Sequence, residues 1–531
     1  MPARRLLAPL LLLLLLAAAA FTAPAVASAA ALPDVESCST PEGLLALARA
    51  RHPELLAADR DAEAAAAAAR ALIQGEPLLA LVVAKNQMAA WTPGWNAWFH
   101  QARLAGTAAT EWWPNPRMLY SLDWLDLEDA GPTVFSFGDS AGRFFVAQAI
   151  DAWANNVFEL GFACGPDAAA GGAWSCPAGV PPGDWLLLPP GRKARSLPAD
   201  VRAQYEGRTL EMPTAAVLLM VRTLADPDRA GDEAAARELQ QTYEASPLGT
   251  PKTKAYADHA HSDALKLLAR YQRNSTSGAP ALLAAAAGLS RAFPLRDKAE
   301  ARAFKKLLRA AGLRPGRGFD QRLSPRDEGL VGAGVLLGMD CIDAKIAAAS
   351  IGLDLPGGWS LTEAASLNAS DYLSRAARAK SLLLQLPPNV QAYFSTATDA
   401  DGAPLSGAAA YDVRFPAPPP AVYLWSLTIY DATTGKLVLP NALNRTSIAP
   451  TTPGLERGPD GSLTLTVSAA PPEAGGPPLS NWLPAPPGPF VLALRLIGPA
   501  AADVATGGYH PPPVVRLTGA SGSGDGGNGA P

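Results

Sequence analysis

The residue pattern closest to known catalytic chemistry is the string Gly-Asp-Ser-Ala-Gly at residues 138–142. After a strand, such a G-x-S-x-G string can form the nucleophile elbow of an α/β-hydrolase, where the glycines permit the strained turn that exposes the serine. The serine also needs a histidine base, an acid behind it and a separate oxyanion donor. No HGGG-type loop precedes Ser140, and the segment that follows it can be a strand as easily as a helix. We favour an ordinary hairpin turn and keep an extracellular hydrolase, with Ser140 or an unrecognised metal site, as the alternative.

Two short clusters contain residue types that bind metal ions. His259 and His261 lie between Asp258 and Asp263, but residues at i and i+2 of a helix point to different faces and converge poorly on one ion. The run at residues 399–402, Asp-Ala-Asp-Gly, begins like a calcium loop and lacks the later bidentate glutamate. A turn capped by its own carboxylates is the better interpretation. The sequence also has no P-loop, dinucleotide fingerprint or CxxC motif, and we predict no metal site and no cofactor.

Length and composition limit the class of protein. The chain has 531 residues, of which 49% are hydrophobic and 17% charged, so two or three globular domains are expected. The formal net charge of −4 argues against nucleic-acid binding, which requires a basic surface.

The N-terminus has the three parts of a secretory signal peptide. Arg4 and Arg5 precede an apolar stretch at residues 6–21, and Ala-Ser-Ala at 27–29 offers the small residues of a cleavage site. We predict a secreted protein or one in the lumen of the secretory pathway, with an uncleaved anchor or a transit peptide as alternatives. No later segment is interpreted as a membrane span, because Ala-rich runs such as residues 64–69 are flanked by charges.

The cysteines support an oxidising compartment. An even number of four cysteines indicates disulfides in a secreted chain. Cys164 and Cys176 bracket a short Gly/Ala-rich loop and are the preferred pair, which leaves Cys38 to pair with Cys341. Three N-x-S/T sequons would be glycosylation acceptors in a eukaryotic secretory pathway. They begin at Asn274, Asn368 and Asn444.

Hydrophobic periodicity predicts an α+β fold of two antiparallel β-sandwich or jelly-roll-like modules with a mostly helical segment between them. Short alternating runs between residues 118 and 157, the run DWLLLPP, and four runs in the last third are typical of strands. Helical spacing is found at residues 40–104 and 199–379, including TAAVLLMVRTLA at 214–225. The predicted divisions are a signal peptide at 1–29, helices plus a first β module at 30–198, a helical middle segment at 199–383, a second β module at 384–518 and a disordered tail at 519–531.

Several segments, taken in order, resemble a known family. The first are WPNPRMLYSLDWLDL, GRFFVAQAIDAWANNVFELG and VRTLAD; the later ones are DADGAPLSGAAAYDVRF, YLWSLTIYD, PDGSLTL, NWLPAPPGPF and LALRLIGP. Together they resemble the secreted proteins that pair domain of unknown function 1254 with domain of unknown function 1214. The first block departs from the family pattern: Arg117-Met118 replaces Asp-Thr, Phe144-Phe145 replaces Tyr-Tyr, and Ala154 replaces Thr. In the second block, Arg445-Thr446 replaces Arg-Tyr.

The resemblance implies a set of polar and aromatic candidates for a ligand site. The functional interpretation is a cleft with an aromatic wall and amide and guanidinium donors; the alternative is that these side chains fix turns and fill cores. We predict a secreted protein that binds a small anionic or hydroxylated ligand in or between its β modules, with a structural cell-surface protein as a third possibility. Its partner would be a small molecule and not a nucleic acid, and its oligomeric state stays open. The candidates are Asn115, Tyr120, Asp151, Asn155, Trp425, Arg445, Asn481, Trp482 and Arg495.

Overall fold

The computed structural model describes residues 32–53, 55, 58–89, 91–106, 113–167, 172–251, 255–348, 352–362 and 371–517. The predicted signal peptide, the sequon at Asn368 and the predicted tail at 519–531 lie outside these residues. The chain forms two compact units. The first contains the described residues of Met1–Leu104, Arg117–Gly352 and Glu363–Val390, and the second those of Ala105–Pro116, Leu353–Thr362 and Gln391–Pro531.

The first unit combines helices with β-sheets. Its helices are α1 (Val35–Ser39), α2 (Pro41–Arg51), α3 (Asp59–Met88), α4 (Leu127–Ala130), α5 (Ala199–Gln204), α6 (Asp232–Gln240), α7 (Tyr256–Arg273), α8 (Ser275–Ala292), α9 (Lys298–Ala310), α10 (Pro325–Ala347) and α11 (Tyr372–Leu382). Its strands are β1 (Phe99–His100), β2 (Met118–Asp126), β3 (Thr133–Phe137), β4 (Phe145–Asp151), β5 (Asn156–Gly161), β6 (Gly165–Asp167), β7 (Ala173–Ser175), β8 (Gly183–Leu188), β9 (Thr209–Glu211), β10 (Ala216–Leu224) and β11 (Glu244–Pro247).

Two sheets face each other in the first unit. One has the order β1-β2-β10-β4-β5 and the other β11-β3-β8-β9, and the rings of Phe137 and Phe145 meet between them with centroids 5.0 Å apart. The strands predicted at β2, β3, β4 and β8 are confirmed. The helix predicted at residues 214–225 is wrong, because this segment is β10, which pairs antiparallel with both β2 and β4. Its residues are buried on both faces, so the strand lacks the polar alternation that distinguishes a strand from a buried helix.

The helical part of the first unit is built around α3. This Ala-rich helix is buried along most of its length, and α8, α10 and α11 pack against it. Within the described ranges, α3 is the one helix that is long and apolar enough to cross a membrane, contrary to our expectation that none would be. Because 83% of its most apolar window is buried inside the protein, it has the character of a core helix, and one such helix is weak evidence for a span.

A close helix crossing positions α3. A Cβ atom added to Gly334 of α10 would lie 2.1 Å from the carbonyl oxygen of Ala65 and 2.7 Å from the Cβ of Ala68. Only glycine fits there, and its absent side chain lets the two helix backbones touch. The predicted Cys38–Cys341 disulfide is confirmed and joins α1 to α10, and the predicted Cys164–Cys176 pair is confirmed as well.

The second unit is a β-sandwich. Its elements are β12 (Gly352–Asp354), β13 (Ser360–Thr362), β14 (Gln391–Thr396), β15 (Tyr411–Phe415), β16 (Ala421–Asp431), β17 (Ser447–Ile448), β18 (Leu463–Ser468), β19 (Trp482–Pro484), β20 (Phe490–Pro499), α12 (Ala502–Thr506) and β21 (Val514–Arg516). The sheets have the orders β12-β13-β14-β20-β16-β17 and β19-β18-β15-β21. Inward-facing residues of both sheets form one core. Because the chain combines helices with mainly antiparallel sheets, the predicted α+β class is confirmed.

Substitution of Gly334 by alanine should destabilise the protein, because the added methyl group collides with backbone atoms of α3 that cannot move independently. Overpacking costs about 1–3 kcal/mol, and a Cβ placed 2.1 Å from a backbone oxygen belongs to the upper end of that range. The cost therefore exceeds the helix-propensity gain of about 1 kcal/mol. Chemical denaturation of the Gly334→Ala variant measures the loss. Gly329→Ala in the same helix is the matched control, since the nearest atom to its new Cβ is Leu55 Cδ1 at 3.9 Å. Equal stability of the two variants would contradict a tight crossing.

Candidate functional site

A small cavity in the first unit has one charged side chain in an otherwise apolar and aromatic wall. It encloses about 300 Å³ including its opening to solvent, of which about 20 Å³ is space for the centre of a water-sized molecule. That inner space holds one or two water molecules or the head of a small ligand. The lining residues are Leu78, Leu81, Val82, Lys85, Trp95, Trp124, Ala152, Ala216, Ala257, His261, Leu289 and Phe293.

Lys85 supplies the charge. Its side chain comes from the last turn of α3, and the residue is only 7% exposed. The Nζ atom lies 4.6 Å from the ring centroid of Trp95 and 5.3 Å from that of Trp124, within the range of cation–π attraction. Burial lowers the pKa of Lys85, and the nearby carboxylates of Asp258 and Asp123 oppose that change.

The local sequence explains why a lysine lies here. Leu78, Leu81, Val82 and Lys85 have the spacing i, i+3, i+4 and i+7, which places all four on one helix face. Since the three apolar members of this face pack into the core, the lysine is carried into the core with them.

The two tryptophans are held by different elements. Trp124 lies on β2 opposite Leu218 of β10, on the sheet face that packs against the helices. Trp95 forms a bridge to Trp124, and its indole Nε1 donates a hydrogen bond of 3.1 Å to Asp258 Oδ1. The Nε1 of Trp124 is buried and has no hydrogen-bond partner among the described residues. The cavity wall therefore contains a cation beside two aromatic rings.

His261 is the second ionisable group of the wall. It is carried by α7 and meets the Trp95 ring edge-on, with centroids 6.3 Å apart. Burial, reinforced by the charge of Lys85, lowers the pKa of His261 to about 4, so the imidazole is neutral at neutral pH. His259 is exposed, which agrees with the expectation that the two histidines point to different faces. Within the described ranges, no group of three or more His, Cys, Asp or Glu residues could hold a metal ion.

Asp123 adds a buried carboxyl group close to Lys85. One oxygen accepts a hydrogen bond of 2.9 Å from the backbone N–H of Ala97, and the other is buried without a hydrogen-bond partner in the described part of the chain. Burial raises the pKa of Asp123 to about 7. Asp123 does not line the cavity, but the Lys85 amine and the His261 imidazole do, and burial lowers the pKa of both. Perturbed pKa values of this kind are characteristic of functional sites.

None of the nine predicted ligand residues lines this cavity. In the first unit, Asp151 accepts hydrogen bonds from the backbone N–H groups of Trp153 and Asn155 and from the Asn155 side chain. The Oδ1 of Asn155 in turn accepts a bond from Arg375. Tyr120 packs under the guanidinium of Arg222, 5.7 Å from its ring centroid. These contacts fix the turn after β4 and the centre of the five-stranded sheet.

In the second unit, three of the predicted residues hold one backbone segment. Arg445 Nη1 donates to the carbonyl oxygens of Leu479, Ser480 and Trp482. Asn481 donates to the carbonyls of Glu456 and Thr464. The Nε1 of Trp482 donates to the carbonyl of Ser468.

The remaining three do not join that group. Trp425 and its cross-strand partner Leu496 lie in the sandwich core. Arg495 is on the opposite face of the same sheet, where it donates to the hydroxyl of Tyr430 at 2.8 Å. Asn115 is buried. The structure therefore does not bring the second-unit candidates together in one cavity, and ligand binding by the nine residues stays a prediction.

The geometry does not support the nucleophile elbow at Ser140. The segment after it is strand β4, not a helix, and β3 and β4 belong to different sheets, so the turn is a link between sheets and not the hairpin we favoured. The Ser140 hydroxyl is buried and has no hydrogen-bond partner among the described residues, so no base contacts it. A Ser–His contact does occur elsewhere, between Ser121 Oγ and His100 Nδ1 at 2.9 Å. Since Ser121 is completely buried, a substrate cannot reach it.

Arg117, which departs from the family pattern, has a structural role. Its guanidinium is buried and pairs with Asp226 at 2.7 Å and Asp228 at 2.6 Å. The substitution of an acidic residue by Arg117 is thus accompanied by two carboxylates that compensate its charge. This ion pair anchors the start of β2 to the loop after β10.

Replacement of Asp123 by asparagine should stabilise the protein above about pH 7. The pKa of Asp123 is about 7 in the folded protein and 3.8 as an ordinary value, so between these values the folded state binds a proton that the unfolded state has lost. Stability therefore falls as pH rises through this window, by roughly 4 kcal/mol. The amide introduced by Asp123→Asn keeps the bond to Ala97 without this loss, and the gain should be small near pH 4. Thermal unfolding across pH tests this, with the exposed Asp263→Asn as control; a loss of stability at pH 8 in Asp123→Asn would contradict it.

Comparison with solved structures supports the fold. A crystal structure of the VPA0106 protein from Vibrio parahaemolyticus matches with a TM-score of 0.60 and 19% identity, over 86% of this chain and 100% of that one. An uncharacterized protein from Burkholderia cenocepacia overlaps 88% of this chain and 98% of its own, with a TM-score of 0.36 and 12% identity. At these identities the first match concerns fold alone, and the second is too distant to support an argument. No curated protein matches the chain.

Two family models match separate parts of the chain. Protein of unknown function (DUF1254) matches residues 95–247, and Protein of unknown function (DUF1214) matches residues 390–501. The first match includes Trp95, Asp123 and Trp124 but ends before His261 and begins after Lys85. The chain therefore carries a region that matches DUF1254 followed by a region that matches DUF1214, in the order that the sequence motifs predict.

Proposed function

We propose that this protein binds a small organic anion in the cavity beside Lys85. The observation that carries the proposal is a buried lysine amine in the wall of an apolar cavity. Removal of an ammonium ion from water costs several kcal/mol, and the two tryptophan rings return only about 2 kcal/mol or somewhat more. Burial of the charge is therefore only partly compensated in the unliganded protein. An anion that pairs with the Lys85 ammonium ion would supply the missing stabilisation.

The lining favours an anion over the hydroxylated ligands that the sequence left open. At neutral pH, Lys85 is the only lining residue that can carry a charge, since His261 is neutral. A carboxylate could pair with the Lys85 ammonium in the cavity wall. The apolar walls suit a short hydrocarbon part. The inner space of about 20 Å³ limits the enclosed part to the size of acetate.

Acetate and propionate should raise the melting temperature of the wild-type protein, and acetamide, which is neutral and of the same shape, should not. Binding at 100 times Kd stabilises the folded state by about 2.7 kcal/mol. Lys85→Met should abolish the effect, and Lys85→Arg, which keeps the charge, should retain it. The acetate-induced rise in melting temperature should also become smaller as pH rises. Because the pKa of Lys85 is lowered, the side chain loses its charge at a pH below its ordinary pKa of 10.5.

The Lys85→Met variant also separates binding from a purely structural lysine. If the charge serves a ligand, its removal leaves the unliganded protein as stable as before or more so. A clear fall in the melting temperature, together with the absence of any acetate shift in the wild type, would mean that the cation–π contacts are structural. Sodium chloride at matched ionic strength controls for screening.

We also propose that the protein is secreted and acts in an oxidising compartment. The two disulfides support this, since such bonds persist where thiols are not kept reduced. Two of the sequons are compatible with glycosylation: Asn274 is exposed while its Oδ1 caps α8, and Asn444 is exposed in a turn.

Expression in a eukaryotic secretory host should release the protein into the medium with its N-terminus at Ala30, because the small residues at 27–29 precede the expected cleavage point. N-terminal sequencing of the secreted product determines this. A chain that stays in the cells with Arg4 and Arg5 still attached would contradict secretion. A secreted variant in which Asn274, Asn368 and Asn444 are all replaced by glutamine is the control for any mass difference due to glycans.

A further inference from the structure

We infer that the Lys85 amine also forms a reversible imine with small aldehydes that enter the cavity. The inference rests on the proposed function in one respect, namely that small molecules reach this cavity. It goes further because it assigns a covalent reaction and a second ligand class to the same nitrogen atom.

The surroundings of Lys85 favour the nucleophilic form of the amine. The free amine attacks a carbonyl carbon, and the ammonium ion does not. Lys85 is enclosed by the rings of Trp95 and Trp124 and is 7% exposed, so water solvates its charge poorly and the neutral form gains. A surface lysine of the same unit, Lys266, has a side chain that is 71% exposed and pairs with Asp263. Its amine lies in solvent and serves as the comparison.

The cavity also supplies a group that can move protons. His261 lines the same space as Lys85, and burial keeps its imidazole neutral, so one ring nitrogen can accept a proton and the other can donate one. The remaining ionisable groups around Lys85 are Asp123 on β2 and Asp258 on α7. Asp258 is occupied by the Trp95 indole and Asp123 does not line the cavity, which leaves His261 as the group most able to take part.

The reaction balances without any further reagent. The amine nitrogen attacks the carbonyl carbon, a C–N bond forms, and a proton moves from nitrogen to oxygen, which gives a carbinolamine. The C–O bond then breaks after a second protonation, the oxygen leaves as water, and the nitrogen keeps a double bond to carbon. The sum is amine plus aldehyde giving imine plus water. The inner space of about 20 Å³ corresponds to one or two water molecules, so we expect the reaction with the smallest aldehydes and not with bulky ones.

Trapping with acetaldehyde and sodium cyanoborohydride tests the inference on the wild-type protein. The hydride reduces the imine to a stable secondary amine, and peptide mass spectrometry then measures the ethylated fraction at each lysine over time. At about pH 7, Lys85 should be labelled severalfold faster than Lys266, because burial lowers the pKa of Lys85 and so increases its fraction of free amine. Added acetate should slow labelling at Lys85 and leave labelling at Lys266 unchanged, because it competes for the cavity.

Variants and the pH dependence of trapping test the roles of Lys85 and His261. Lys85→Arg should give no trapped adduct at position 85. His261→Phe should slow trapping at Lys85, and the exposed His259→Phe, which lies outside the cavity wall, should leave trapping unchanged. Trapping should become faster as pH rises from about 6 to about 9 while acetate binding weakens, since one process needs the amine and the other the ammonium ion.

The outcomes separate the two proposals. Trapping at Lys85 no faster than at Lys266, with the acetate shift present, overturns the imine and leaves anion binding in place. Selective trapping without an acetate shift supports the imine and overturns anion binding. If neither occurs, small molecules do not use this cavity and both proposals are overturned.

Discussion

The burial of α3 is the constraint on which the first unit depends. This helix of 30 residues is surrounded by other helices and by one face of the five-stranded sheet. Its many alanines are small enough for close approach, and Gly334 of α10 lets the backbones touch. A helix packed so closely cannot rotate to expose one residue without moving its whole apolar face. Lys85, which has the same helical spacing as Leu78, Leu81 and Val82, is therefore held in the core even though its charge disfavours that place.

The rings of Trp95 and Trp124, which lie beside the Lys85 amine, offset part of the cost of burying its charge. An ammonium ion in the core needs either a carboxylate partner or a polarisable aromatic surface. The chain provides both in part, since the rings of Trp95 and Trp124 lie close to Nζ and Asp258 holds the Trp95 indole in position. Compensation is incomplete, as the lowered pKa of Lys85 indicates. The buried Arg117 differs from Lys85 in this respect, because two carboxylates pair directly with its guanidinium.

The sequence predicts features that depend on neighbouring residues better than features that depend on residues far apart in the chain. Motif residues such as Arg445 and Asn481 use their polar atoms on backbone carbonyls of their own unit, so the motifs predicted the domain pairing correctly but pointed away from the cavity. Strands with one apolar face, such as β15, were predictable, whereas β10 was not, because burial on both faces removes the alternation that defines a strand. The cavity as a whole was also beyond prediction, since Trp124 and His261 come together only through the tertiary fold. Lys85 did carry a readable signal: a charged residue at i+7 of an apolar helix face.

The two chemistries proposed for Lys85 limit each other, and Asp123 sets the balance between them. Anion binding requires the ammonium ion, and imine formation requires the free amine. Ionised Asp123 stabilises the ammonium ion, as the direction of its effect on the pKa of Lys85 indicates. Because the pKa of Asp123 is itself raised to about 7, this carboxyl group is partly protonated at neutral pH, where it supports the charge of Lys85 only in part. Burial thus favours the free amine of Lys85, whereas Asp258 and ionised Asp123 favour the ammonium ion, and protonation of Asp123 shifts Lys85 toward the free amine.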